Sequence, residues 1–248
     1  LRLVAARGRL MQSLPQGGKM VSAATDETTV LNAIANDPYV SIAAVNAPQS
    51  IVISGEGAAV DVVVGRLGKA GVKTTTLKVS HAFHSQMMDP ILEEFRAELE
   101  DIDFKPPKKI LISNITGRSW DNKQLSADYW VDHLRGTVRF SDGITYAKSK
   151  KIEIFLEIGP KPTLLGLGRA SLSSNFGTWL PSLKPDSECS TLLNSVGQLY
   201  VRGIDINWKA FYAQAKLERM KLPNYSWRYQ RCWTDIVSTG GNGTRLHP

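Results

Sequence analysis

The chain has 248 residues, of which 42% are hydrophobic and 21% charged, so we expect a packed core rather than a disordered chain. No apolar run approaches membrane-spanning length and no signal peptide is recognisable, which argues against a membrane protein and favours a cytoplasmic location. The formal net charge of +7 comes from scattered basic residues without interleaved aromatics, which argues against a nucleic-acid partner. Cys189 and Cys232 match no metal or redox spacing, as expected in a reducing compartment.

The first third of the chain predicts a helix followed by a compact unit of strands and helices. Apolar residues recur on one stripe of residues 1–14, and Pro15 ends that helix. The next pattern predicts strand 19–24, helix 26–37 with Asp26 as N-cap, strands 40–47 and 50–55, helix 56–71 and strand 72–79. The order β-α-β-β-α-β is that of a ferredoxin-like subdomain, which would span about residues 17–79.

From residue 85 onward, helix patterns alternate with apolar strand patterns, which indicates an α/β core. The predicted elements are a helix over 85–99, a strand over 108–117, a helical stretch over 127–150 that breaks near Gly136, a strand over 152–160 and a helix over 163–172. The strand over 152–160 is continuously apolar and ends in Gly-Pro, which is typical of a strand buried inside a parallel sheet.

After about residue 178 the sequence changes to a proline-containing linker, followed by a predicted helix over 190–203. The aromatic segment 222–233 has neither helical nor strand period, and we interpret it as an extended segment that lies on another surface. The chain opens inside a helix without an initiator methionine and closes on a glycine-rich stretch. We therefore expect it to be part of a longer protein.

Two residues occupy positions typical of a functional site. Arg7 falls in the apolar stripe of the first helix, so it is either a snorkelling side chain or a desolvated guanidinium that binds a carboxylate with two hydrogen bonds. His84 follows a strand pattern and precedes a helix pattern, so it is either a general base or a structural histidine bonded to the backbone. The local pattern leaves both alternatives open for each residue.

The sequence offers His84 nothing to activate. No G-x-S-x-G nucleophile elbow is present in the 248 residues, and no lone serine or cysteine substitutes for it. His81 and His84 form an H-x-x-H pair, but no cysteine or acidic cluster completes a zinc site, so we predict no metal.

Five motifs occur in the order AVNAPQSIVISG, VSHAFHSQMMDPI, SNITG, YWVDHLRGTVRF and FLEIGPKPTLLGL. They resemble the acyltransferase domains of modular polyketide synthases, which are related to malonyl-CoA:acyl carrier protein transacylases. The tail LPNYSWRYQRCW resembles the linker that follows such domains, so the resemblance covers nearly the whole chain.

The resemblance implies an α/β-hydrolase-like large subdomain with an inserted ferredoxin-like subdomain. Residues 1–16 and 80–178 would form the C-terminal portion of the large subdomain, 17–79 the insertion, and 179–248 the post-acyltransferase linker. The N-terminal part of the large subdomain, with its Gly-His-Ser-x-Gly elbow, would be missing. By itself the chain is therefore expected to be inactive.

The resemblance also implies residue roles. His84 would be the catalytic base that takes the proton of a serine, and the backbone carbonyl of His133 would orient its imidazole. Arg7 would bind the free carboxylate of the acyl group.

Further residues would shape the acyl pocket. His81 and Phe83 belong to a signature, His-Ala-Phe-His, that resembles malonyl-selective domains, in which the Phe83 ring would occupy the space of an α-methyl group. Met20 and Asn46 would line the cleft.

The implied reaction moves a malonyl group from malonyl-CoA to an acyl carrier protein. The domain itself would bind no cofactor, because CoA belongs to the substrate and the phosphopantetheine to the carrier. The missing N-terminal part and a neighbouring ketosynthase-linker region would be further partners. Two alternatives stay open at this point: a non-catalytic docking or scaffold module that binds an acyl carrier protein, and a hydrolase, against which the carboxylate-binding Arg7 argues.

Overall fold

The computed structural model of the chain describes residues 1–120, 126–172, 175–214, 220–230 and 232, and the structural statements below concern these residues. They divide into two compact units, Leu1–Ile204 and Asp205–Pro248. Part of the segment 179–248 that the sequence assigns to a linker lies outside the described residues. None of the described helices has the length and apolar character needed to cross a bilayer.

The elements follow one another in this order: α1 (Arg2–Ser13), β1 (Gly18–Ala23), α2 (Glu27–Ile34), β2 (Val40–Ala47), β3 (Ser50–Glu56), α3 (Gly57–Lys69), β4 (Thr74–Thr76), a 3₁₀ helix (Gln86–Ile91), α4 (Leu92–Leu99), α5 (Ala127–Arg135), α6 (Phe140–Ser149), β5 (Ile154–Glu157), α7 (Leu164–Ser171), β6 (Thr178–Pro181), α8 (Glu188–Tyr200) and α9 (Trp208–Phe211). The element order predicted up to residue 79 is confirmed, as is the helix break at Gly136 between α5 and α6.

Strands β1 to β4 form an antiparallel sheet with the order β2-β3-β1-β4. Side chains of these strands pack with those of α2 and α3 in a shared core that includes Val21, Val30, Ile51, Ile53, Val60 and Leu67. The predicted N-cap of α2 is confirmed, because the Asp26 carboxylate accepts a 2.9 Å hydrogen bond from the Thr29 backbone N–H.

Helix α1 packs its apolar stripe against α4, and α4 packs against α5. Their common core contains Ala6, Leu10, Leu14, Met88, Ile91, Phe95, Leu99, Val131 and Leu134. On the outer side of α1, the Arg9 guanidinium donates to the carboxylates of Glu94 at 3.3 Å and Glu98 at 2.7 Å. Exposed ion pairs of this kind contribute little to stability, so the buried residues Ala6, Leu10 and Leu14 set the rotation of α1 and the direction in which Arg7 points.

The strand predicted over 108–117 is wrong. Only an isolated bridge between Ile112 and Ser119 is present there. The Ser113 hydroxyl accepts hydrogen bonds from the N–H groups of Ile115 and Thr116, and Gly117 has a φ of 64°. These local bonds fold the backbone into a turn. The N–H groups of Ile115 and Thr116 are therefore not available for pairing with a neighbouring strand.

The apolar segment 152–160 forms the parallel strand predicted for it, but it is not buried. Among the described residues strand β5 pairs with β6 alone, and Leu156 and Ile158 are 44% and 78% exposed. The partner strand β6 lies where the sequence suggests a linker, because Pro181 and Pro185 dominate the local pattern. A strand of four residues that ends in a proline gives too short a period to recognise from sequence.

The described part of the aromatic tail, residues 220–230, has no helix or strand, as predicted. Tyr225, Trp227 and Tyr229 are exposed, Tyr229 to 92%. The Tyr225 and Trp227 rings contact each other, with centroids 4.8 Å apart. That the segment lies on another surface stays a prediction.

Candidate active site

Helix α1 presents Arg7 between the buried residues Ala6 and Leu10. The guanidinium is partly buried, and this burial lowers the pKa of Arg7 from its usual value. Among the described residues it makes no ion pair with a carboxylate. Of the two sequence alternatives, a desolvated guanidinium without a charged partner describes Arg7 better than a snorkelling side chain.

His84 lies in the loop between β4 and the 3₁₀ helix, whose start is capped by the Ser85 hydroxyl. Its φ of 58° is in the left-handed region, which costs a non-glycine residue about 1–2 kcal/mol. The imidazole Nδ1 donates a 2.9 Å hydrogen bond to the Gly136 carbonyl, because a carbonyl can only accept. The neutral ring therefore carries its lone pair on Nε2, which has no hydrogen-bond partner among the described residues.

His133 lies on α5, and its side chain contacts Arg7. The guanidinium Nη1 donates to the His133 Nδ1 over 3.1 Å, so Nδ1 holds the lone pair and Nε2 holds the proton. The ring centroids of His84 and His133 are 6.2 Å apart in an edge-on arrangement. The two adjacent imidazoles thus adopt opposite tautomers.

The electrostatics of the cluster keep both imidazoles neutral near pH 7. Burial, followed by the charge of Arg7, lowers the pKa of His84 below its usual 6.5, against a smaller upward effect of the Gly136 and His133 carbonyls. Burial first, then the charge of Arg7 and the neighbouring His84, lowers the pKa of His133 to about 4. Among the described residues of the cluster, Arg7 is therefore the single cation, and no carboxylate pairs with it.

The structure assigns a different use to His133 than the sequence suggests. The Gly136 carbonyl, rather than that of His133, is the principal acceptor for His84, and the His133 carbonyl makes only a smaller contribution. The imidazole of His133, for which the sequence predicts no role, is the group that contacts Arg7. The break at Gly136 was a usable signal, because a helix end exposes carbonyls that the helix does not bond.

His81 and Phe83 lie beside this cluster. His81 is 3% exposed and uses both ring nitrogens, since Nε2 donates to the Leu14 carbonyl and Nδ1 accepts from the Ser80 hydroxyl, each at 3.0 Å. It therefore ties the His-Ala-Phe-His loop to the end of α1. Phe83 packs against the core of α1, α4 and α5 and also against the buried cluster that contains Met20.

Met20 and Asn46 lie on the sheet. Met20 on β1 is buried in a cluster with Ala43 and Val52, and Phe83 of the histidine loop packs against this cluster. Asn46 on β2 is half-buried, and its carbonyl accepts a 3.2 Å hydrogen bond from the Ser171 hydroxyl. No hydrogen bond between described residues joins Asn46 to Arg7 or His84.

A cavity of about 580 Å³ lies elsewhere in the molecule, between α7, β6 and α8. Its lining includes Arg169, Lys184 and Arg202 but none of the cluster residues. No described group of three or more potential ligands is arranged to hold a metal ion. The contacts among Arg7, His84 and His133, rather than cavity size, therefore define the candidate site.

Comparison with known proteins places this chain in a family. The acyl transferase domain family matches residues 1–206. The chain is 41% identical over 244 residues to the polyketide synthase GfsB of Streptomyces halstedii, covering 96% of this chain and 4% of that protein. It is 40% identical to the phenolphthiocerol synthesis polyketide synthase type I Pks15/1 of Mycobacterium marinum, covering 93% of this chain and 11% of that protein.

A crystal structure of the acyltransferase domain from the second module of the salinomycin polyketide synthase has a similar fold. It superposes with a TM-score of 0.83 and 41% identity over 90% of this chain and 53% of that chain. The fold is thus the mixed α/β fold of acyl-transferring domains. The chain belongs to the acyl transferase domain family of polyketide synthases, which confirms the family predicted from its motifs. It spans about half the length of that solved domain and a small part of the synthases it matches.

Proposed function

We propose that the domain carrying this chain loads a malonyl unit from malonyl-CoA onto the phosphopantetheine thiol of an acyl carrier protein. The observation that carries this proposal is the Arg7 guanidinium, which is partly buried and lacks a carboxylate partner among the described residues. A dicarboxylic acyl group would supply that carboxylate. Arginine suits this task because its planar fork binds two oxygens at once.

His84 is proposed as the general base. Its Nε2 lone pair is free because Nδ1–H donates to the Gly136 carbonyl, so Nε2 can take the proton of a serine hydroxyl as that oxygen attacks the thioester carbonyl. The imidazolium then gives this proton to the CoA sulfur as the C–S bond breaks. In the second half-reaction Nε2 takes the proton of the carrier thiol as the sulfur attacks the acyl-serine ester, and returns it to the serine oxygen as the C–O bond breaks. The 248 residues contain no G-x-S-x-G elbow, so the serine that attacks the thioester belongs to another part of the synthase.

Selectivity for malonyl over methylmalonyl is assigned to Phe83. The ring packs between the helical core and the Met20 cluster, so its position is defined by two surfaces. A fixed ring can exclude an α-methyl group, although one methyl changes the binding free energy by only about 1–3 kcal/mol.

The proposal extends to the surroundings of the site. Residues 17–79 would be the ferredoxin-like insertion, 1–16 and 80–178 part of the hydrolase-like subdomain, and 179–248 the linker. The antiparallel order β2-β3-β1-β4 supports the first assignment. Cys189 and Cys232, both free and exposed, favour a cytoplasmic location.

The test uses a chimaera that joins this chain to the part of the salinomycin acyltransferase domain it does not match. We expect Arg7→Ala to lower kcat/KM for malonyl transfer by about 100-fold relative to acetyl transfer, because two charge-assisted hydrogen bonds are lost. Arg7→Lys should recover only part of this ratio. Steady-state transfer to a carrier protein measures both substrates.

Arg9→Ala is the matched control, because Arg9 lies on the same helix but faces outward and pairs with Glu94 and Glu98. It should leave the malonyl-to-acetyl ratio unchanged. A ratio insensitive to Arg7→Ala would contradict the proposal, and carrier binding without transfer would favour the docking alternative. Release of malonate to water in place of transfer would favour a hydrolase.

A further inference from the structure

We propose that the imidazole of His133 is a positioning residue that holds the Arg7 guanidinium in place to receive the acyl carboxylate. This inference rests on the proposed function, because the carboxylate ligand of Arg7 comes from it. It goes beyond that function in giving His133 a role for its side chain.

The direction of the hydrogen bond is fixed by chemistry. A guanidinium has only donors, so the 3.1 Å contact from Arg7 Nη1 requires an unprotonated His133 Nδ1. The bond uses one of the five N–H donors of the guanidinium and leaves the others for a ligand. It therefore restricts the rotation of the side chain without filling the carboxylate-binding edge.

The ring of His133 is itself supported. The Tyr129 and Trp130 rings lie beside it with centroids 6.1 and 5.6 Å away, and all three residues are on α5. Tyr129 is buried, and its hydroxyl is 2.9 Å from the Ser113 hydroxyl. A side chain packed in this way can orient a second one, because moving its ring would disturb buried contacts.

A neutral acceptor suits the role better than an acid would. An aspartate at position 133 would also bind the guanidinium, but it would neutralise the charge and compete with the substrate carboxylate. His133 orients Arg7 and leaves its charge available. Burial and the charge of Arg7 keep the pKa of His133 near 4, so the ring remains an acceptor throughout the neutral range.

The functional test replaces His133 in the chimaera with leucine, asparagine or aspartate. His133→Leu removes the acceptor and should lower the malonyl-to-acetyl ratio of kcat/KM by about tenfold. His133→Asn keeps an acceptor oxygen and should stay within about threefold of the parent, whereas His133→Asp should lower malonyl transfer by competing for Arg7. Equal ratios for leucine and the parent, or an equal loss for asparagine and leucine, would overturn the proposal.

A second measurement does not depend on transfer. Long-range ¹H–¹⁵N NMR of the 248-residue chain reports the tautomer of each histidine, and we expect His133 to carry its proton on Nε2 and His84 on Nδ1. The Arg7 Nη protons should exchange with water faster in His133→Leu than in His133→Asn. A proton on His133 Nδ1 would refute the positioning role even if the chimaera transfers malonyl groups. Absent transfer with the expected tautomers would instead count against the proposed function alone.

Discussion

At the residue scale, His84 combines a strained backbone with an oriented side chain. Its φ of 58° directs the imidazole toward the Gly136 carbonyl, and the hydrogen bond there selects the tautomer with a free Nε2. Strain of this kind persists where the surrounding structure imposes it and where the conformation serves a site. Substitutions at position 84 can separate the free-energy cost of the positive φ from the contribution of the imidazole.

We expect His84→Gly to be more stable than His84→Ala by about 1 kcal/mol, because glycine adopts positive φ without a Cβ penalty. Both variants lose the imidazole, so their difference in unfolding free energy isolates the backbone. Urea denaturation of each variant gives this difference.

The same pair of substitutions at His81 provides the control, because His81 is buried and is not among the residues with positive φ. There the order should reverse, with alanine the more stable variant. Equal stability of the two His84 variants would show that the loop relaxes and that its strain is not imposed by the fold.

The pKa of about 4 for His133 predicts how stability depends on pH. The unfolded histidine has a pKa near 6.5, so between pH 6.5 and 4 the unfolded state takes up a proton that the folded state does not. The contribution of His133 to stability is therefore lost as the pH falls through this window, and that contribution changes no further below it. Urea midpoints from pH 7 to pH 4 should fall more steeply for the parent than for His133→Asn. Parallel curves would contradict the low pKa.

At the element scale, the ends of helices carry much of the site and of its support. A Cβ at Gly136 would lie 2.8 Å from the Asp132 carbonyl, so only glycine fits where α5 ends and its carbonyl meets His84. At the start of α7, the Glu157 carboxylate accepts hydrogen bonds of 2.9–3.0 Å from the N–H groups of Thr163, Leu164 and Leu165. Both contacts satisfy backbone groups that a helix leaves unpaired at its ends.

Glu157→Gln should lower stability by about 1 kcal/mol at pH 7, as the loss of a helix cap does. Burial acts to raise the pKa of Glu157, but the three backbone N–H groups outweigh it and lower that pKa. The charged form is therefore favoured by folding, and its contribution is lost as the pH falls through the folded pKa. Denaturation at pH 7 and in acid checks both statements, since the two proteins should converge in acid.

Glu153→Gln is the matched control for this element, because Glu153 is an exposed glutamate immediately before β5. It should leave stability unchanged at both pH values. A loss as large as that of Glu157→Gln would indicate a general effect of net charge in place of helix capping.

At the scale of the whole molecule, apolar side chains collect on a surface around β5. This β5 surface includes Ile110, Ile152, Leu156, Ile158 and Leu164, all exposed. Phe155 lies at its centre and lines two adjoining cavities of about 380 Å³ each. Within the described chain β5 pairs along only one edge. The backbone N–H and C=O groups of its other edge are therefore unpaired, next to exposed apolar side chains.

We expect the 248-residue chain to self-associate through the β5 surface. Ile110→Lys with Ile158→Lys should shift its concentration-dependent light scattering toward the monomer, because charge on an open edge prevents pairing. Val4→Lys serves as the control, since Val4 is 67% exposed on α1, away from this surface. An equal effect of the control would assign the association to general hydrophobicity.

Local periodicity predicted most helices and the antiparallel strands, because burial on one face leaves a period of 3.6 or 2 in the sequence. It failed at residues 108–117, where hydrogen bonds to Ser113 override an apolar strand pattern. Periodicity also failed to predict that the strand around Phe155 is exposed. The burial of a strand depends on which other strands lie beside it, and the sequence of the strand does not contain that information.

The sequence by itself determined the family, the position of Arg7 in the apolar stripe of its helix, and the choice of His84 as a possible general base. Motif order and helical spacing are properties of the sequence and need no tertiary contact. Only the tertiary structure decided that His84 bonds to Gly136 and that Arg7 meets the His133 imidazole, a partner 126 residues away along the chain. The tautomers and the lowered pKa values follow from those meetings. The position of the hydrogen-bond partner determines which ring nitrogen carries the proton, and the fold determines where that partner lies.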